Sequence, residues 1–428
     1  MKILTISLNA WNDTMATGNT FSNFFQNLGP QDRIANIFCR EEPVNNNVCH
    51  LYYKVTEKDQ IKNFWRKNNC GNEFEVHIQQ QFQASILQKN NSRLKQSINR
   101  SLQLYRPGLL LFFREFLWAL NIWKSERLKA FLREFNPDVI YMHGHNNIYM
   151  HKLLWYCQHI TGAKVAIYFG DDMYNYKGER FIKHLYHKIY QRQLGFTINH
   201  ADILFGGSPK LVSEYGSIFG KKFNLLIKCC DNIGGSQPRY ISYPITLMYA
   251  GNLLYGRDKC LVDVVNVIKS INEEKSIFQL HVYTATYTNN ETTACLNDCK
   301  NSFLHASKPF SEICKLLNET DLALFVESFN YNYKKQTRLS FSTKIIDYFQ
   351  SNSAILSYGP LDVSSIDYLN RSNVSFVASS IQELKNILIQ IKNNPSQIND
   401  MMKRKYDYAL KYHTTPTLVD GLRELRIN

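Results

Sequence analysis

Short apolar runs alternate with longer amphipathic stretches along almost the whole chain. In the first half, residues 2–8, 34–39, 50–55, 138–142, 164–169, 203–205 and 224–228 have the length and β-branched or aromatic content of strands. Between most of them the apolar spacing becomes helical, as in 125–135, which stops at Asn136-Pro137. Strands that alternate with helices imply parallel sheets with crossover connections. The pattern pauses at 231–238, a turn-rich stretch holding Gly234, Gly235 and Pro238, and then resumes. Strands are expected again at 246–250, 277–283, 302–305, 321–326, 353–357 and 374–377, and a helical tail at 398–425, interrupted near Pro416. The predicted class is therefore α/β, with two Rossmann-like doubly wound parallel-sheet domains. The expected domains are 1–235, with a basic helical insertion at about 75–130, and 236–400. A tail, 401–428, is expected to pack back on the first domain.

At 428 residues the chain is long enough for two cores, and 44% hydrophobic residues can fill both. Its ten cysteines are scattered without paired CxxC clusters, which points to reduced thiols and a cytoplasmic location. No zinc set is expected, because Cys295 and Cys299 have no second Cys or His pair at suitable spacing. The N-terminus turns polar too early for a secretory signal, and no run reaches the length of a transmembrane helix. The formal charge of +14 changes the picture, since a basic excess of that size attracts nucleic acid, anionic lipid or phosphorylated substrates. Between residues 89 and 133 stand ten Lys or Arg against Glu115 and Glu126, mixed with Phe113, Phe116, Trp118 and Trp123. That mixture suits a helix resting on the cytoplasmic face of a membrane. It equally suits a core in which Leu117, Trp118 and Leu120 are buried beneath a solvated basic face. Nucleic acid is not expected as a partner, because no zinc-finger, RRM or helix-turn-helix signature accompanies the charge.

Candidate chemistry concentrates at 340–349. Ser342 or Thr343 can cap a helix whose apolar face is Ile345, Ile346 and Phe349, and a helix start offers free N–H groups to an anion. Lys344 adds a cation and Asp347 a carboxylate one turn later, a set that fits a diphosphate beside a ribose. The plain alternative is an exposed Lys344–Asp347 pair on a surface helix. Gly251-Asn252 follows an expected strand, where a missing side chain would let the backbone approach phosphates.

Taken together, Met1 to Leu4, Asn136 to His143, Ala201 to Phe205, Leu247 to Leu253, Thr320 to Phe325 and the 340–349 segment resemble the GT-B glycosyltransferases, most closely the retaining family 4 or group 1 enzymes. The resemblance implies a cleft between two facing domains, with a nucleotide-sugar donor on the second and a saccharide or lipid-linked saccharide acceptor on the first. It implies donor-binding roles for Gly251, Asn252, Arg257, Lys259, Ser342, Thr343, Lys344 and Asp347. Gly18 and Asn19, in an expected loop at 16–20, would border the acceptor. Asp171, Asp172 and His143 would stand beside the reacting centre, where an acid takes the acceptor proton or steadies positive charge on the sugar. His145 and His151 read instead as ordinary loop and helix residues. No metal or other cofactor is expected, since cationic side chains would replace it. The implied activity is transfer of a hexose from a nucleoside diphosphate to a hydroxyl, in bacterial capsule, O-antigen or exopolysaccharide synthesis. One departure stands out: Leu339 occupies the position of the family's first acid, and Glu327 lies off register. That leaves a GT-B-like sugar-nucleotide epimerase and a noncatalytic saccharide or nucleotide binder as alternatives.

Overall fold

The structure is a computed structural model that describes residues 1–65, 69–76, 108–175, 181–234 and 237–427. Of the basic helical insertion expected at about 75–130, residues 77–107 lie outside the described residues. The chain divides into two compact units, one formed by 1–207, 212–226 and 416–428 and the other by 208–211 and 227–415.

The first unit is built on eight strands: β1 (Lys2–Ser7), β2 (Arg33–Phe38), β3 (Leu51–Lys54), β4 (Asn72–Glu75), β5 (Val139–His143), β6 (Lys164–Phe169), β7 (Ile203–Gly206) and β8 (Asn224–Leu225). Their order is β4-β3-β2-β1-β5-β6-β7-β8, and every pairing is parallel except β3 with β4. The central strands are buried on both faces, as parallel strands covered by helices must be. The sequence pattern misses β4, because Asn-Glu-Phe-Glu has one apolar residue and lies exposed at the sheet edge. The strand expected at 224–228 is only two residues long. The helix Leu418–Ile427 places Leu418, Val419 and Leu422 in the core of this unit.

Of the basic, aromatic segment, the described part divides in two. Trp118 and Trp123 are core residues. The Trp118 indole stacks on Tyr149 with ring centroids 4.1 Å apart, and its N–H donates to Glu57 Oε1 at 3.0 Å. Burying a ring of that size and satisfying its N–H contributes about 3 kcal/mol. Phe113 and Phe116, in contrast, are each 62% exposed on the helix Gly108–Ala119.

The second unit has six parallel strands in the order β11-β10-β9-β12-β13-β14. They are β9 (Ile245–Ala250), β10 (Phe278–Thr284), β11 (Ser302–Ala306), β12 (Leu322–Val326), β13 (Ala354–Tyr358) and β14 (Phe376–Ala378). The order reverses between β9 and β12, so the loops after these two strands diverge and leave room for a ligand at their carboxyl ends.

Candidate active site

Gly251 follows β9 and Glu327 follows β12, so strand order alone makes them neighbours. The helix Arg257–Ile271 starts after Gly256, whose φ of +74° only glycine takes without strain and whose lack of Cβ admits the Ser328 hydroxyl and the Tyr333 ring. This tight turn swings Arg257 back across the strand ends. Its Nη2 donates to Glu327 Oε1 at 2.9 Å and its Nη1 to Asn252 Oδ1 at 3.1 Å. Glu327 is only 2% exposed, and its other oxygen, Oε2, is buried with no hydrogen-bond partner among the described residues.

Lys344 completes the cluster. It is the first residue of the helix Lys344–Phe349, and its ammonium lies 4.1 Å from the centre of the Tyr249 ring. A Cβ on Gly251, where φ is +149°, would fall on that ammonium and come within 2.6 Å of Cε. The ammonium has no hydrogen-bond acceptor among the described residues. Burial and the nearby Arg257 guanidinium push it down to about 7, only partly opposed by Glu327 and Asp347. Burial likewise raises the Asp347 carboxyl, against the lowering influence of Lys228 and Lys344.

Several sequence expectations change here. The space left by Gly251 is taken by Lys344 rather than left for a phosphate to meet the backbone, and the Gly251 N–H already donates to Tyr283 O at 3.0 Å. Neither Ser342 nor Thr343 caps the helix. Thr343 has helical φ and ψ and makes no side-chain cap, while the Ser342 N–H is held by Ser365 Oγ at 3.0 Å. With six residues, this helix gives side chains rather than a strong dipole. Lys259 is exposed on the neighbouring helix and makes no hydrogen bond or ion pair among the described residues. Leu339 is fully buried, with its carbonyl accepting from Ser208 Oγ, so position 339 is core. Glu327, off register in the sequence, belongs to the cluster in space. Its only signal is an acid directly after a fully apolar strand, and the sheet order is what puts that strand beside β9.

In the first unit, His143 ends β5 with its ring 5.0 Å from Tyr168 and 5.7 Å from Phe21. Burial pushes its imidazole down to about 4, although Asp171 acts in the opposite direction. Asp171 is exposed after β6. Asp172 holds its own loop in shape, since its Oδ1 accepts from the N–H of Tyr174 and of Asn175 and from the Tyr215 hydroxyl, at 3.0–3.1 Å. The loop expected at 16–20 is helix instead, the first turn of Ala16–Phe24. Gly18 is required there because a Cβ would overlap the Asn12 main chain, so its role is helix packing, and Asn19 follows on the same turn. His151 is a satisfied core histidine, bonded to Thr197 Oγ1 and the His145 carbonyl at 3.0 Å each. Among the described residues no three His, Cys, Asp or Glu side chains form a group able to hold a metal ion.

No family model matches the chain, and no curated protein matches it by sequence. Solved structures do match. HepE of Anabaena, in complex with UDP, aligns over 99% of both chains with a TM-score of 0.61 at 10% identity. The α,α-trehalose-phosphate synthase (UDP-forming) of Burkholderia xenovorans, in complex with glucose-6-phosphate, aligns over 100% of both at 0.58 and 10% identity. Sucrose-phosphate synthase of Thermosynechococcus elongatus aligns over 99% of this chain and 98% of its own at 0.59, again with 10% identity. TarM aligns over 70% of this chain and 57% of its own, with a TM-score of 0.53. The chain has the GT-B fold of glycosyltransferases. In this GT-B chain the Lys344, Arg257 and Glu327 cluster occupies the carboxyl edge of the second parallel sheet, at its switch point.

Proposed function

We propose that this chain transfers a sugar from a nucleoside diphosphate to a hydroxyl acceptor. The observation that carries the reading is the Lys344 ammonium, half-buried beside Arg257 with no acceptor of its own among the described residues. Two adjacent cations in a partly desolvated site are a costly arrangement, and a diphosphate reverses that cost. In this reading Lys344 and Arg257 hold the diphosphate as negative charge develops on it. Glu327 fixes the Arg257 fork, and its buried Oε2 is left to accept a donor hydroxyl, which the Leu339 side chain has no atom to do. Asp347 accepts from the ribose. UDP is the first nucleotide to test, because HepE was solved with UDP and the trehalose-phosphate synthase is UDP-forming.

The acceptor hydroxyl oxygen forms a bond to the anomeric carbon as the bond from that carbon to the diphosphate oxygen breaks, and the electron pair leaves with the diphosphate. The acceptor proton goes to Asp171, while His143, neutral at physiological pH, lines the same strand edge. Retention of configuration, a hexose donor and the absence of a resident metal follow the family resemblance. So does a role in bacterial capsule, O-antigen or exopolysaccharide synthesis, with a lipid-linked acceptor bringing a cytoplasmic protein to the inner membrane face. No helix among the described residues is long and apolar enough to cross a membrane.

A thermal-shift screen with UDP-, GDP- and CMP-sugars tests the donor assignment, since a ligand that binds only the folded state raises Tm by mass action. Stabilisation by a nucleoside diphosphate sugar, lost in Lys344→Ala, is expected. No shift with any of them, or an undiminished shift in the variant, overturns the placement. Asp171→Asn is expected to lower turnover more than donor affinity.

A further inference from the structure

The helix Phe181–His200 packs against the helix Gly108–Ala119 within the first unit. The Tyr186 ring meets Phe112 edge-on at 5.8 Å and the Tyr186 hydroxyl donates to Glu115 Oε1 at 2.8 Å. Tyr186, His187, Tyr190 and Leu194 turn inward. The opposite face presents Leu185, Ile189 and Phe196, exposed by 47%, 43% and 48%, with the exposed Lys188 and Arg192 between them. Positions 185, 188, 189, 192 and 196 stand at i, i+3, i+4, i+7 and i+11, which draws one continuous stripe along the helix.

Three observations say what covers this stripe. It is apolar and cationic in alternation, the composition of a helix lying in a bilayer interface. Neither Lys188 nor Arg192 forms an ion pair among the described residues, although exposed cations elsewhere in the chain do. Acid is absent from the stripe: Phe181–His200 contains no Asp or Glu. The one acid of Gly108–Ala119, Glu115, is turned inward, where it accepts from the N–H groups of Ile148 and Tyr149 as well as from Tyr186. Phe113 and Phe116 then add two more exposed rings on that adjoining helix. A second copy docking through the same face would set Lys188 and Arg192 against themselves, whereas an anionic headgroup layer complements them.

We infer that the outward face of the helix Phe181–His200, flanked by Phe113 and Phe116, docks on an anionic lipid bilayer. Leu185, Ile189 and Phe196 enter the headgroup boundary while Lys188 and Arg192 meet lipid phosphates. This deepens the membrane-facing part of the proposed function and rests on it for purpose, but not for binding.

The test is co-sedimentation of the full chain with vesicles of phosphatidylcholine alone and of phosphatidylcholine mixed with phosphatidylglycerol, at low and high salt. Binding that requires phosphatidylglycerol and weakens with salt is expected. Lys188→Gln with Arg192→Gln should lower the partition coefficient by about thirtyfold. Ile189→Asn with Phe196→Ser should lower it at every salt concentration. Calorimetric UDP binding, measured on each variant, reports an intact second unit, and circular dichroism reports the helices of the first. Absence of wild-type binding, equal binding to both vesicle types, or full binding by the folded charge variant overturns the inference. Wild-type dimerisation abolished by the same substitutions overturns it in favour of a second copy. Vesicle binding without UDP binding would instead leave the docking surface standing and remove UDP as the donor nucleotide.

Discussion

The two ends of the helix Lys344–Phe349 each hold a buried or half-buried lysine, and they differ in what answers the charge. Beyond its C-terminal end, Lys405 is 1% exposed and donates to the carbonyls of Tyr348, Ser351 and Ser353 at 2.8, 2.5 and 2.6 Å. All three ammonium donors are matched, and the cation lies where helix carbonyls favour it. At the N-terminal end, Lys344 has an aromatic face, a neighbouring Arg257 and no hydrogen-bond acceptor among the described residues. Burial pushes both ammonium groups down to about 7, so desolvation alone does not separate them. The partners do. One lysine ties down the loop that leads from the helix into β13, and the other keeps its ammonium donors unmatched among the described residues.

Removing Lys405 should have the largest effect on the comparison. Lys405→Met removes the ammonium donor from three buried carbonyls, of which, among the described residues, only Tyr348 O is seen to accept also from the Ser351 N–H and hydroxyl, and a loss of about 2–4 kcal/mol is expected in denaturant unfolding. A stability within error of wild type would show that the two lysines are alike after all. The matching change at the other end, Lys344→Ala, is expected to leave the fold intact and weaken nucleoside diphosphate binding by about 10- to 100-fold, the size of a charge-assisted hydrogen bond. Calorimetry reads this directly, and Arg257→Ala should fall in the same range.

Titration gives a sharper version. In the proposed reading an anion binds the charged form of Lys344, whose ammonium burial pushes down to about 7 in the free protein. Below that pH the charge is already present. Above it, each binding event must take up a proton, so affinity should fall by about tenfold per pH unit until the pKa of the bound state is reached. UDP calorimetry in buffers of different ionisation enthalpy measures that uptake. An uptake of zero across pH 7 to 9, or the same uptake in Lys344→Ala, would show that Lys344 does not contact the anion.

Much of the fold is legible because strands buried on both faces read as plain apolar runs; β1, β6, β9, β12 and β13 can hardly be missed. The edge strand β4 is not legible, since two glutamates and an asparagine carry no periodic signal. At the site, Lys344 and Arg257 are legible as cations after expected strand and loop signals. Their relation to Glu327 is not, because β9 and β12 are neighbours only through the crossover of the sheet, with two strands between them in sequence. Gly251 stands out for a sound reason, the need for a missing side chain, but with a different occupant: the backbone is bare there to admit an ammonium of the same chain. The 16–20 segment reads as a loop because Gly18 and Asn19 are turn residues by propensity, and packing against Asn12 overrides propensity.

The smallest expected effect concerns the stability of the ligand-free protein. A lysine whose folded pKa lies below its unfolded value destabilises the fold fully at pH below the folded pKa, and this cost disappears as pH rises through the unfolded value of 10.5. Lys344→Met keeps the aliphatic contact with Tyr249 and removes the desolvated charge. It should therefore stabilise the ligand-free chain at pH 6, by less than about 1 kcal/mol because the half-buried group is partly screened by solvent. The gain should shrink on going to pH 9, and saturating UDP, which answers the charge in the wild type, should reverse the order of the two proteins. Lys405→Met offers no such reversal, since its three carbonyls are present with or without ligand. A Lys344→Met protein less stable than wild type in the absence of nucleotide would mean that the Tyr249 face and Glu327 already satisfy the ammonium, and the contrast between the two lysines would then be one of degree.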